Sequence, residues 1–335
     1  MALPLDTHFL RRLVGIFGTI FIIYVVFLAF LVLIQRNLMY FPDDVRFTPV
    51  AAQLDGFTEL NYKTPSGQKI HGFFAPPKAP RRATIVFFQG NAGNLGMRAE
   101  KIKLWRDQGY GVVLGTYRGF EGNSGSPTED GLYEDARATI EVAKSRGVRF
   151  GDMILYGESL GTGIAVEMAA AMGSLNPPAA VVLEVPYTSV PEVGAYRYPF
   201  VPIFWLLWDR YESVNKMQNI EAPVLILQAG KDMVIPPVFA KKLFDVAKPP
   251  KTMLTNINAG HMTIYSSSDI VRGIFNFMDG IDKSPPPKGR AAIQPAVQQP
   301  VAAPKPVITQ PPTQSPVKAP VKPQAPTDQR KKRQQ

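Results

Sequence analysis

Three side chains in this sequence have the types and the order for one reaction: Ser159, Asp232 and His261. A serine hydroxyl attacks a carbonyl poorly at neutral pH. It needs an imidazole to take its proton, and the imidazole needs a carboxylate to hold its tautomer and orientation. Ser159 stands in Gly157-Glu158-Ser159-Leu160-Gly161, directly after the apolar run Met153-Ile154-Leu155-Tyr156 and directly before a helix-like stretch from Ile164 to Met172. A G-x-S-x-G in that setting predicts a sharp strand-to-helix turn with the serine at its apex. Glycines are expected at both ends because such a turn strains the serine backbone and crowds its neighbours, leaving no room for Cβ atoms.

The base follows by elimination, because the chain has three histidines. His8 precedes a long apolar segment, and His71, in Lys69-Ile70-His71-Gly72-Phe73-Phe74, reads as a half-exposed strand residue. His261 follows the apolar, β-prone run Met253 to Ile257 and is the expected base. For the acid, Asp232 lies just after the strand-like Val224-Leu225-Ile226-Leu227-Gln228. Its rivals are Asp209, which follows a tryptophan-rich insert, and Asp152, which precedes its strand; neither falls at a strand's C-terminal end. A developing oxyanion needs two backbone N–H donors, one from the residue after the nucleophile and one from the loop after an early strand. Leu160 is the first; Asn91 is the candidate second and Ala92 the alternative, in Gln89-Gly90-Asn91-Ala92-Gly93-Asn94 after the apolar run 83–88. That loop lacks the spacing of a phosphate-binding G-x-x-x-x-G-K-[ST].

The elements that must position these residues alternate. Strand-like runs at 83–88, 111–117, 152–156, 180–185 and 223–228 are separated by helical stretches near 97–108, 129–146, 160–173 and 237–247. This predicts an α/β fold with a doubly wound, mostly parallel sheet. Between the runs at 180–185 and 223–228 lies Tyr196-Arg197-Tyr198-Pro199-Phe200-Val201-Pro202-Ile203-Phe204-Trp205-Leu206-Leu207-Trp208, within an expected cap insert at about 190–220. Its rings either finish the core beneath the sheet edge or form an apolar pocket for an acyl chain or a face resting on lipid.

At this point the chain resembles the α/β-hydrolase superfamily, and within it the single-pass membrane-anchored serine hydrolases with an N-terminal signal anchor. The resemblance runs from about Asn61 to Asp279. It rests on Gln89 to Asn94, on Tyr117-Arg118-Gly119-Phe120-Glu121-Gly122-Asn123-Ser124-Gly125, on the G-x-S-x-G, and on Gly230-Lys231-Asp232 with Gly260-His261. It implies Ser159 as nucleophile, Asp232 as acid and His261 as base, in agreement with the reading from the residues. Relatives usually carry histidine where this chain has Gln89.

Leu13 to Ile34 is a stretch of 22 residues without a charge, long enough to cross a hydrocarbon core of ~30 Å at ~1.5 Å per residue. It reads as a membrane anchor within residues 1–42, with the catalytic domain at 43–282. It exceeds a cleavable signal's apolar region, and no small-residue cleavage site follows. Arg11 and Arg12 precede it and Arg36 closely follows, a bias that puts the N-terminus in the cytoplasm and the catalytic domain on the outer side, the periplasm in a bacterium or the lumen or exterior in a eukaryote. From Lys283 onward 13 of 53 residues are proline, and ten basic residues against one acid supply +9 of the formal net charge of +10. This tail is expected to be disordered, with polyproline II character. It could touch anionic lipid or recruit a partner, but without aromatic residues for base stacking it gives no reason to expect nucleic-acid recognition. The absence of cysteine excludes disulfides and thiolate metal sites. Scattered histidines make no metal cluster, and neither metal nor cofactor is expected.

The expected activity is that of a membrane-anchored serine hydrolase working through an acyl-enzyme on an ester or thioester, with lipid-like or other acylated small molecules as substrates. A peptidase would use the same residues. The reading from a different class is a non-catalytic scaffold recruiting partners through the proline-rich tail.

Overall fold

The computed structural model describes residues 7–79, 82–173 and 176–283; the expectations about the tail lie outside them. The chain opens with α1 (Thr7–Met39), a 33-residue helix long and apolar enough to cross a membrane, with none of its most apolar stretch buried. Then come β1 (Phe41–Pro42), β2 (Thr58–Lys63), β3 (Lys69–Ala75), β4 (Thr84–Phe88), β5 (Ala92–Gly93), α2 (Ala99–Asp107), β6 (Gly111–Gly115), α3 (Glu129–Ser145), β7 (Met153–Glu158), α4 (Leu160–Met172) and β8 (Ala180–Glu184). Three short helices follow, α5 (Val190–Arg197), α6 (Ile203–Leu206) and α7 (Ser213–Met217), and then β9 (Val224–Ala229), α8 (Val238–Val246), β10 (Lys251–Asn256) and α9 (Ser268–Lys283).

Eight strands form one sheet in the order β2-β3-β6-β4-β7-β8-β9-β10. The six from β6 to β10 in that order pair in parallel, and β3 and β2 close one edge in antiparallel fashion. The parallel strands are continuous apolar runs because both faces are covered. In β4 the side chains of Val86 and Phe88 enter one core with Leu155 and Ile164, while Ile85 and Phe87 enter the other with Trp105 and Tyr156. The mostly parallel α/β sheet is as expected from the alternation of elements. Among the elements not read from the sequence are the edge strand β2 and helix α9. The signal for α9 was present: Ile270, Ile274 and Met278 recur every four residues and are its buried side.

One local expectation is corrected. His71 is buried rather than half-exposed, because the loop after β6 folds over β3. Its Nδ1 lies 2.7 Å from Asn123 Oδ1 and its Nε2 3.2 Å from Glu121 Oε2. Tyr40 is buried in the core, and β1 pairs with β5, with Phe41 opposite Ala92 and Pro42 opposite Gly93.

Candidate active site

β7 turns into α4 with one residue between them. Ser159 takes that position with φ +51° and ψ −117°, a strained left-handed backbone. The flanking glycines are a steric requirement. A Cβ on Gly157 would lie 2.4 Å from the Gly161 carbonyl oxygen, and one on Gly161 would lie 2.0 Å from that of Phe88. The Ser159 N–H donates to the Glu184 carbonyl at 2.9 Å, pinning the apex to the neighbouring strand β8.

The loops after β9 and β10 bring the two partners. His261 Nε2 lies 2.9 Å from Ser159 Oγ, and His261 Nδ1 lies 2.7 Å from Asp232 Oδ2. The other Asp232 oxygen accepts the backbone N–H groups of Val234 at 2.7 Å and Ile235 at 2.8 Å, which fixes the carboxylate plane. A carboxylate on Nδ1 holds the proton there and turns the Nε2 lone pair toward the serine hydroxyl. All three side chains are nearly shielded from water, with Asp232 2% and His261 11% exposed. The rival acids are engaged elsewhere: Asp209 accepts from Arg36 and Tyr40, and Asp152 pairs with Arg149.

Asn91, Ser159 and Leu160 line one cavity. Leu160 opens α4, so its N–H has no acceptor within the helix and sits at the positive end of the helix dipole. Asn91 follows β4, and its side chain donates to the Met39 carbonyl at the end of α1 at 2.6 Å. The Asn91 carbonyl in turn accepts from the Phe41 N–H at 2.8 Å. The N-terminal helix is therefore fastened to the loop that carries Asn91, the expected second oxyanion donor. Ala92, the alternative donor, is held in the β5 pair with Phe41.

Behind the same loop lies a buried charge cluster. Glu158 Oε1 accepts from Arg98 Nη2 at 2.7 Å and Nε at 3.0 Å, and its Oε2 accepts from Lys101 Nζ at 2.6 Å. Lys101 also reaches Glu184 at 2.6 Å. Arg98 Nη1 donates to the carbonyls of Ala92 and Asn94, both at 3.0 Å, so the cluster ties the residue before Ser159 to the loop of Asn91. Burial pushes the Glu158 carboxyl up, but Lys101 and Arg98 outweigh it and hold the group down at about 2. Glu184 is pushed the other way, by burial and the charge of Glu158 against the pull of Lys101. This cluster was missed in the sequence, although an acid at the end of an apolar strand was a signal, since buried carboxylates are paired. Gln89 is fully buried, and among the described residues its side-chain amide meets no hydrogen-bond partner.

The cavity has a volume of about 620 Å³ and is mainly apolar. Val193, Val201 and Leu206 of the cap form one wall, while Phe27, Leu31 and Val32 of α1 form another. The cap's rings do not complete the core, as one reading of the sequence had them. Phe200 and Trp205 are 88% and 90% exposed, and Tyr196, Tyr198 and Trp208 are also exposed.

No family model matches the chain. It is 35% identical over 229 residues to an uncharacterized protein of Mycobacterium tuberculosis, a match spanning 68% of this chain and 80% of the relative. It is 30% identical over 229 residues to the lysophosphatidylserine lipase ABHD12 of Mus musculus, spanning 60% of this chain and 56% of that protein. Among solved structures, an esterase of Pyrococcus furiosus superposes with a TM-score of 0.55 over 72% of this chain and 97% of its own, at 14% identity, a likeness of fold alone.

Proposed function

The chain belongs to the α/β-hydrolase superfamily, and on that premise we propose that it is a membrane-anchored serine hydrolase cleaving carboxylic esters or thioesters that carry an acyl chain. The observation that carries this reading is the unbroken sequence of contacts from Asp232 Oδ2 through His261 to Ser159 Oγ, ending at an apolar cavity. Ser159 Oγ attacks the substrate carbonyl carbon as its proton passes to His261 Nε2, and Asp232 stabilises the imidazolium. The tetrahedral oxyanion is held by the N–H groups of Asn91 and Leu160. His261 then returns the proton to the leaving oxygen or sulfur, the bond to it breaks, and an acyl-serine remains. Water, deprotonated by His261, attacks the acyl-serine; the acid leaves and the serine proton is restored.

A cavity of this volume falls within the ~300–1,000 Å³ typical of small-molecule sites, and its apolar walls suit a hydrocarbon chain. The name of the mouse relative, a lysophosphatidylserine lipase, supports a lipid carrying one acyl chain as the substrate class. The full-length protein in detergent should react with a fluorophosphonate probe, and Ser159→Ala should abolish both the labelling and the turnover of p-nitrophenyl esters. Labelling that survives the substitution would remove Ser159 as the nucleophile. Faster turnover of acetyl than of octanoyl esters would refute the acyl-chain assignment.

A further inference from the structure

The N-terminal helix and the cap are fastened together along a length that an anchor places inside the bilayer. The Tyr24 hydroxyl donates to the Phe200 carbonyl at 2.6 Å. Gln35 bonds both ways, donating to the Leu206 carbonyl at 3.2 Å and accepting from the Trp208 N–H at 2.9 Å. Arg36 closes the series on Asp209 at 2.9 Å, with its guanidinium over the Trp208 ring. Tyr24 lies 11 residues beyond Leu13 in the uncharged segment, about 16 Å at ~1.5 Å per residue and close to the middle of a ~30 Å hydrocarbon core. A cap whose Phe200 touches that point cannot sit above the headgroups.

We propose that the cap is immersed in the leaflet on the catalytic domain's side, and that a single acyl chain of a membrane lipid enters the cavity sideways from that leaflet. Phe27, Leu31 and Val32 of the anchor then measure the chain's length. The inference rests on the hydrolase reading above and adds where the substrate comes from and what selects it. Three observations support it together. The anchor supplies a wall of the cavity that ends at Ser159, so a lipid beside the helix is already beside the site. The cap leaves Phe200 and Trp205 almost wholly uncovered and Tyr196, Tyr198 and Trp208 exposed, aromatic surface suited to acyl chains and the headgroup boundary. The polar groups along the contact between cap and helix satisfy one another, Tyr24 with Phe200, Gln35 with Leu206 and Trp208, and Arg36 with Asp209 near the helix end.

The test uses the full chain reconstituted in phosphatidylcholine vesicles. Substrates are a monoacylglycerol with a long chain, embedded in the vesicle, and p-nitrophenyl acetate, supplied from water. Leu31→Trp, which fills the cavity, should lower the ratio of long-chain to acetyl turnover by roughly tenfold or more, since each lost methylene contact in such a pocket is worth about tenfold. Leu33→Trp, at a position 76% exposed and outside the cavity wall, should leave the ratio unchanged. Equal ratios in the two variants would overturn the acyl-wall assignment. A second readout is independent of turnover. Of the three tryptophans, Trp105 is buried in the core, so quenching of the fluorescence by lipids brominated on the acyl chain should come from Trp205 and Trp208. It should disappear in Trp205→Phe/Trp208→Phe, and a wild-type protein unquenched by brominated chains would place the cap in water and overturn the immersion. A wild type that neither labels with fluorophosphonate nor cleaves the acetyl ester would refute the hydrolase reading and the inference with it. Normal labelling with unchanged chain selectivity would refute the inference alone.

Discussion

Replacing Glu158 by glutamine should damage both stability and turnover, although its side chain does not line the cavity. Its two oxygens accept three hydrogen bonds from Arg98 and Lys101, at 2.6–3.0 Å, with the carboxylate 5% exposed. An amide offers one acceptor and turns a donor on the other side toward a buried cation. Breaking one partner of a buried ion pair costs about 3–5 kcal/mol because a charge is left uncompensated. At roughly 2–4 °C per kcal/mol for a domain of this size, the midpoint of thermal unfolding should fall by about 6–20 °C. Circular dichroism of the detergent-solubilised protein would measure it. The kinetic effect is separate: with Glu158 neutral, Arg98 loses its anchor and the Ala92 and Asn94 carbonyls lose a fixed donor, so the Asn91 N–H is no longer held in place. Losing one oxyanion donor lowers kcat by ~10²–10³, and partial displacement should approach the lower figure on a short ester. Lys101→Met and the double variant close a cycle, in which contacting residues should show a coupling of ~0.5–3 kcal/mol. A Glu158→Gln protein melting within about 2 °C of wild type, or a coupling of zero, would refute the argument that the buried cations require this carboxylate.

Asp232→Asn should leave the fold and Ser159 in place but stabilise the wrong imidazole tautomer, lowering kcat on p-nitrophenyl esters about 10⁴-fold; a loss below tenfold would exclude Asp232 as the orienting acid. Stability should depend on acid in a defined window. The Glu158 carboxyl is held at about 2, below its ordinary 4.5, so its contribution is complete above that ordinary value and is lost as the pH falls toward 2. Urea midpoints measured across this range should drop in wild type and drop less in Glu158→Gln, and parallel profiles would exclude Glu158 as the source. A chain beginning at Asp43 lacks Tyr40, the β1 pair and the Met39 carbonyl that accepts from Asn91. It should therefore lose activity even on a water-soluble acetyl ester, by roughly tenfold or more through the loosened oxyanion loop, and full kcat on that ester would show that the helix does not support the loop.

What the sequence determined by itself is what rests on local sterics and on scarcity. The strand-to-helix turn at Ser159 was legible because its glycines are demanded by backbone atoms within a few residues, Gly157 against Gly161, together with one neighbouring strand. His261 followed from there being three histidines in the chain, and the parallel sheet followed from apolar runs alternating with helical stretches. The acid was legible only through strand order, and the structure separates Asp232 from Asp209 by what each touches. The tertiary structure alone decided the rest, because it depends on pairs far apart in the chain. Glu158 meets Arg98 sixty residues away, Arg36 meets Asp209 at a separation of 173, and His71 is buried by the loop that carries Asn123. No spacing in the sequence records which charge finds which partner, or that a helix readable as an anchor also walls the cavity beside Ser159. Those outcomes follow from packing two faces of one sheet at once, and from the requirement that every buried charge be matched.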